Sequence, residues 1–150
     1  MRTRSLALAI ALFAAVASLA AGNAQGQQVN LNATLILASP QGSGIDPALK
    51  AYEGNLKRLF KYKSYRVQGR SEARVSLPGE STINLGSGHR LTLNAQTSGG
   101  GKIRISVRWS DGRRTLINTT LNMTKGVPAL LGGPSAPSQN GNLILALVAR

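Results

Sequence analysis

"KIRISVRWSDGRRTLINTTLNM", residues 102–123, restricts the fold more than any other stretch of the chain. Ile103, Ile105, Val107 and Trp109 alternate with Lys102, Arg104, Ser106, Arg108 and Ser110. A period of two puts the apolar set on one face of an extended strand, and no helix can gather it. Asp111-Gly112 then gives a strong short hairpin signal. A plain two-residue turn would set Val107 against Leu116 and leave Trp109 opposite Arg114. Shifting the pairing matches Trp109 with Thr115, Val107 with Ile117, Ile105 with Thr119 and Ile103 with Leu121. That register needs an extra residue, expected as a bulge at Gly112.

The same alternation recurs along the chain. "QVNLNATLIL" predicts a half-buried strand through Val29, Leu31, Ala33, Leu35 and Leu37, and "SPQGSG" ends it. Asp46-Pro47 reads as a helix N-cap with proline in the first turn. Ile45, Leu49, Tyr52, Leu56, Leu59 and Phe60 then share one side at helical spacing, which predicts an amphipathic helix to about Lys61. A strand follows with Tyr65 and Val67, and "EARVSL" buries Ala73, Val75 and Leu77. "STINLGSG" is a short strand or a loop, and "HRLTLNAQ" buries Leu91, Leu93 and Ala95. "VPALL" is a short strand and "GGPSAPSQNGN" a long flexible loop. "LILALVA", apolar on both faces, predicts a central strand covered on both sides. The expected class is mainly β, at the margin of α+β. It is an antiparallel sheet or sandwich of about eight strands, with one amphipathic helix near the N-terminus.

Arg2 and Arg4, an apolar run from Leu6 to Ala21 and then small residues follow the plan of a secretory signal peptide. The run is shorter than the ~18–20 residues a membrane span needs. Cleavage is expected after Ala24, with Ala20 as the next candidate. That gives a signal peptide at 1–24 and one β-rich domain at 25–150, exported by a bacterium to the periplasm or beyond. No transmembrane span is expected in the mature chain. The chain has no cysteine, so the domain must rely on its core without disulfides. Cleavage removes Arg2 and Arg4 from a net charge of +13 and leaves +11. Such an imbalance favours anionic partners.

Catalytic chemistry is poorly served. His89 is the only histidine, and the two aspartates, Asp46 and Asp111, serve as cap and turn residue. Glu53, Glu72 and Glu80 show no paired-carboxylate spacing. One histidine without cysteine cannot build a typical zinc shell. "SGGGK" lacks the earlier glycine of a phosphate loop and has Ile103 where Ser or Thr should stand. Neither catalytic residue, cofactor nor metal is expected. "PSAP" reads as a solvated loop, and the acceptor-like patterns at Asn32, Asn118 and Asn122 as chance in Asn- and Thr-rich strands.

Charge remains. The polar face of the hairpin carries Lys102, Arg104, Arg108 and Arg114, and Arg90 and Arg74 should join it from neighbouring strands. A second basic patch comprises Lys57, Arg58, Lys61, Lys63 and Arg66, with Tyr62 and Tyr65 beside it. Phosphates and sulfates need only positive charge and donors, whereas single-stranded nucleic acid prefers aromatic platforms. The expected function is non-catalytic binding of an anionic envelope polymer, lipid head groups or an envelope protein, with nucleic acid disfavoured. The helix has two readings: a cover for the sheet with its lysines in water, or a basic amphipathic surface for a membrane or acidic partner.

"GIDPALKAYEGNLKRLFKYKSYRVQGR", "LPGE" and the closing "GNLILALVAR" together resemble a group of small, uncharacterised exported bacterial proteins. That resemblance implies export and carries no activity or site residues. "KGVPALLGGPSAPSQNGNLILALVAR" is similar to the glycine-punctuated strands of secretin-type outer-membrane proteins. This suggests an alternative, an accessory subunit of an envelope secretion or pilus assembly.

Overall fold

The alternating segments pair into two sheets whose apolar faces meet. The computed structural model describes residues 27–150, so the expected cleavage at Ala24 lies outside the described residues. The strands are β1 (Gln27–Ser39), β2 (Gly44–Ile45), β3 (Ser64–Leu77), β4 (Gly79–Gly86), β5 (His89–Ser98), β6 (Lys102–Asp111), β7 (Arg114–Thr124), β8 (Ala129–Ala136) and β9 (Gly141–Ala149). One sheet has the order β2-β3-β1-β9-β8 and the other β4-β5-β6-β7. All pairings are antiparallel except that of β2 with β3. The result is a mainly β sandwich with one more strand than expected, because the two-residue β2 adds to the edge.

The interior between the sheets holds Val29, Leu31, Ala33 and Leu35 of β1, Leu91 and Leu93 of β5, and Ile103, Ile105, Val107 and Trp109 of β6. Leu143, Leu145 and Leu147 of β9 join them. The other face of β9, with Ile144, Ala146 and Val148, is buried too, in a second core beneath the helix. "LILALVA" is therefore a central strand covered on both sides, flanked by β1 and β8. β1 departs from its half-buried reading. Ile36 and Ala38 are also buried, because the helix covers the outer face of the sheet there.

The helical segment starts where the sequence marks it: Asp46 Oδ1 accepts from the Ala48 N–H at 3.0 Å. Its first part, Pro47–Tyr52, is 3₁₀, and α1 covers Glu53–Leu59. Leu49, Tyr52 and Leu56 dock it on the sheet. Each buried leucine favours docking by about 1.5–3 kcal/mol relative to exposure. The expected end near Lys61 is two residues too late, and Leu59 is 56% exposed rather than part of the stripe. The Tyr65 hydroxyl donates to the Phe60 carbonyl at 2.8 Å and fastens the chain just after the helix.

β3 is one long strand rather than two. Leu35 pairs with Gly69 and Ile36 with Val67, so Gln68 is an extra residue in the ladder. That bulge reverses the alternation. Tyr65 and Val67 face the helix, whereas Val75 and Leu77 face the sandwich interior.

Away from its turn the hairpin keeps the expected faces but not the expected partners. Trp109 pairs with Ile117, Val107 with Thr119, Ile105 with Leu121 and Ile103 with Met123. Asp111 pairs with Arg114 across a two-residue turn, and Gly112 (φ 58°) occupies the first turn position, where II′ turns place glycine. The irregularity sits beside Trp109 and Ser110, where Leu116 is the extra residue, and not at Gly112. The bulge moved: residues 117–123 keep their expected sides, whereas Arg114 and Thr115 exchange theirs.

"GGPSA" is strand, not flexible loop. Ala129–Ala136 forms the edge strand β8, with an irregularity between Gly132 and Ser135 that accommodates Pro134. Edge strands and bulges are where proline is compatible with a sheet, since it has no N–H to donate. "STINLG" is likewise a full strand, β4.

Candidate functional site

The outer face of the four-stranded sheet is built by the even-numbered residues of β6. Lys102, Arg104, Ser106 and Arg108 are exposed between buried neighbours. Cross-strand pairing surrounds the arginines with amides and a hydroxyl: Gln96 and Asn122 flank Arg104, and Thr92 and Asn118 flank Arg108. Strand geometry spaces the Cα atoms of Lys102 and Arg104 by about 7 Å and those of Arg104 and Arg108 by about 13 Å. Among the described residues, none of these three cations makes an ion pair or side-chain hydrogen bond. Arg90 lies on the same face and donates to Asn84 Oδ1 at 3.2 Å. Glu80, exposed opposite Asn94, is an acid on this surface.

Two expected members of this face lie elsewhere. Arg114 pairs with Asp111 in the ladder, on the Trp109 side, and its guanidinium lies 3.7 Å from the Asp111 carboxylate at one end of the sandwich. Arg74 belongs to the other sheet, where it pairs with Asn30 and donates to Asn30 Oδ1 at 3.4 Å. The polar side of its strand is the outer surface of the five-stranded sheet, away from Arg104 and Arg108. Alternation assigns a residue to a face of its own sheet, and only the topology tells which sheet that is.

The second basic patch also divides. Lys57 is bound to Glu53 at 2.6 Å, and that hydrogen bond, with the ammonium charge, lowers the Glu53 pKa below its ordinary value. Arg58 donates to Asn55 Oδ1 at 3.1 Å. Lys61, Lys63 and Arg66 are exposed on the chain leading from α1 into β3. Tyr65 is 2% exposed, with its hydroxyl tied to the helix end, so it offers no stacking surface. Tyr62 is half-buried and packs edge-on against Tyr65.

A cleft that the sequence did not reveal opens at the end of the sandwich where the β4–β5 and β6–β7 turns lie. Its volume is about 320 Å³, with Leu35 and Leu143 among its apolar lining and Ser87, His89, Asp111 and Arg114 among its polar lining. His89 and Asp111 face each other across the β5–β6 ladder. The only cue in the sequence was "GSGH" at one strand start and "DG" at the next turn, and they converge only once the two strands are paired. Ser87, His89 and Asp111 look like the parts of a nucleophilic triad, but they are not wired as one. The Trp109 Nε1–H donates to His89 Nδ1 at 3.1 Å, which leaves the ring proton on Nε2. A triad base needs Nδ1–H directed at the carboxylate and a free Nε2 lone pair directed at the nucleophile. Among the described residues no hydrogen bond links His89 with Asp111 or Ser87.

His89 thus has a structural task, the hydrogen bond to a fully buried indole. Replacing His89 by leucine leaves that N–H without an acceptor and lowers stability by about 1–3 kcal/mol. Asparagine, which can place an oxygen near the Nδ1 position, restores much of the loss. Denaturant unfolding followed by Trp109 emission checks both. Equal stability of the leucine variant and the parent would show that the bond contributes nothing.

No group of three or more metal-ligating side chains occurs among the described residues. No described helix is long and apolar enough to cross a membrane. Comparison with protein-family models, curated proteins and solved structures returned no match.

Proposed function

We propose that this protein is an exported, non-catalytic binding domain that holds an anionic envelope polymer or lipid head groups on the outer face of its four-stranded sheet. The observation that carries this reading is the row Lys102, Arg104 and Arg108, exposed and unpaired among the described residues on one strand. Cations with no internal partner hold the core together no better than neutral polar residues would. They sit on a rigid ladder within a fringe of amide and hydroxyl donors, an arrangement suited to phosphate, sulfate or carboxylate groups repeated along a chain. With Tyr65 buried and no aromatic residue on the β6 outer face, the surface suits such groups better than nucleotide bases.

The test is binding of the full chain to immobilised polyphosphate and polygalacturonate, and to vesicles with phosphate head groups. Reversing Lys102, Arg104 and Arg108 to glutamate weakens binding by roughly 30-fold or more, about 2 kcal/mol, at low salt. Each exposed change alters stability by no more than about 0.5 kcal/mol. Binding of the parent falls steeply with salt, since exposed charges are screened within ~8–10 Å. Reversing Lys50, Lys57 and Lys61 on the opposite side of the sandwich has a smaller effect. Parental affinity in the sheet variant would refute the reading, and loss confined to the helix variant would move the site to the second patch.

The alternative, an accessory subunit of an envelope secretion or pilus assembly, draws on a different feature. β7 ends the four-stranded sheet, and its eleven residues include no proline, lysine or acid. Such an edge can accept a strand from a partner through main-chain hydrogen bonds. A stoichiometric envelope partner that resists high salt would favour this second reading.

A further inference from the structure

We propose that the cleft at the turn end of the sandwich binds a monosaccharide-sized polyol carrying one acidic group. This site is separate from the outer sheet face and does not depend on its function. The cleft's volume of about 320 Å³ falls at the lower end of the range for small-ligand sites, roughly 300–1,000 Å³.

Its chemistry is mixed in a specific way. Arg114 lies 3.7 Å from Asp111, beyond hydrogen-bonding distance, and its side chain is 77% exposed. The guanidinium therefore keeps its planar set of donors for a carboxylate or a phosphate. The Asp111 carboxylate can accept from hydroxyls. With Nδ1 occupied by Trp109, His89 presents Nε2–H as a donor. Gln68 and Gln139, joined at 3.4 Å, bring an amide pair from β3 and from the 3₁₀ turn after β8. Pro134, Ala136 and Pro137 contribute the accessible apolar surface against which the C–H face of a sugar ring can lie, over a floor formed by the buried Leu35 and Leu143.

Other ligand classes fit less well. An apolar ligand would strand the carboxylate and the guanidinium. A bare ion would leave the apolar surface and most of the volume unused. A nucleobase would find no open aromatic platform, because Trp109 is 0% exposed.

The turn geometry adds a second observation. Ser87 and Gly88 are both left-handed, at φ 52° and 82°, which is the sign pattern of a type I′ hairpin turn. Asparagine or glycine suits the first of those positions better than serine. The serine there is one of the residues that line the cleft.

The test titrates the full chain with glucuronate, glucose 1-phosphate, glucose and inorganic phosphate. Calorimetry measures binding, and Trp109 emission reports on the cleft through its contact with His89. Saturable binding of glucuronate or glucose 1-phosphate is expected, roughly tenfold tighter than glucose or phosphate, and the tighter of the two identifies the acid. Arg114→Gln weakens that binding roughly tenfold, whereas reversal of Lys102, Arg104 and Arg108 leaves it unchanged. Three outcomes overturn the proposal. They are no saturation by either acidic sugar up to its solubility limit, phosphate binding as tightly as both, and loss in the sheet-face variant but not in Arg114→Gln.

Discussion

Alanine at Gly133 lowers the stability of the fold by about 2–3 kcal/mol, and shortening Trp109 to leucine removes most of that cost. Gly133 is in β8 and Trp109 in β6, on opposite sides of the sandwich interior. A Cβ at Gly133 would overlap the Cζ3 and Cη2 atoms of the Trp109 ring and come within 2.9 Å of the Leu143 carbonyl oxygen. Neither obstacle can move cheaply. The indole is fully buried and held at its nitrogen by His89, and Leu143 is inside the ladder of a central strand. Packed sheets stand about 10 Å apart, so a tryptophan spanning the gap needs a facing position without a side chain. Trp109→Leu alone costs about 3 kcal/mol through lost packing and the cavity it leaves. In that background the Gly133 methyl no longer overlaps a ring, and only the 2.9 Å approach to the Leu143 carbonyl oxygen remains. The double variant is therefore more stable than the sum of the two single losses requires, by about 1–2 kcal/mol. Urea unfolding of the four proteins measures the coupling. Additive losses would show that the two residues do not share this space.

Alanine at Gly69 is the other severe change, expected to cost about 3 kcal/mol, a large share of the roughly 5–15 kcal/mol that keeps a typical domain folded. Gly69 lies in β3 directly after the Gln68 bulge, and a Cβ there would overlap the Leu85 carbonyl oxygen of β4. The obstacle is main chain, so no rotamer change relieves it. Relief requires β3 and β4 to separate, which lifts Leu85, itself 3% exposed, out of the core. Gly54→Ala provides the control, since a Cβ at that helical glycine meets nothing within 4 Å. It should raise stability by up to about 1 kcal/mol. Thermal unfolding of both variants decides the matter, and a Gly69→Ala protein as stable as its parent would mean that the two strands do not approach this closely.

These glycines show where sequence reading stopped. Gly132 and Gly133 precede a proline and read as loop, yet Gly132 makes room for Phe60 on the helix side and Gly133 for Trp109 inside the sandwich. A glycine that ends a strand and one that admits a neighbour's ring look the same in sequence, because the ring comes from a distant segment. Gln68 is similar. Nothing in "RVQGR" announces that the alternation reverses there, since a bulge is a property of the paired ladder.

The candidate surfaces follow the same division. Lys102, Arg104 and Arg108 were legible as one face, because they share a strand and period two holds within it. Arg74 and Arg114 were assigned to that face by the same rule and do not lie on it. Arg74 is on the other sheet, and Arg114 follows the Trp109 side of the ladder at the turn.

The amino-acid sequence alone determined the properties that rest on neighbouring residues: the period-two strands, the Asp46 cap, the buried Trp109 and the doubly covered final strand. Steric alternation and local hydrogen bonding act over a few residues, so a few residues suffice to reveal them. The tertiary structure alone decided which strands share a sheet, where the bulges fall, and how His89, Asp111 and Arg114 come to line one cleft. Those outcomes depend on closing loops between distant segments and on fitting large side chains against glycines across the core. No local pattern encodes them.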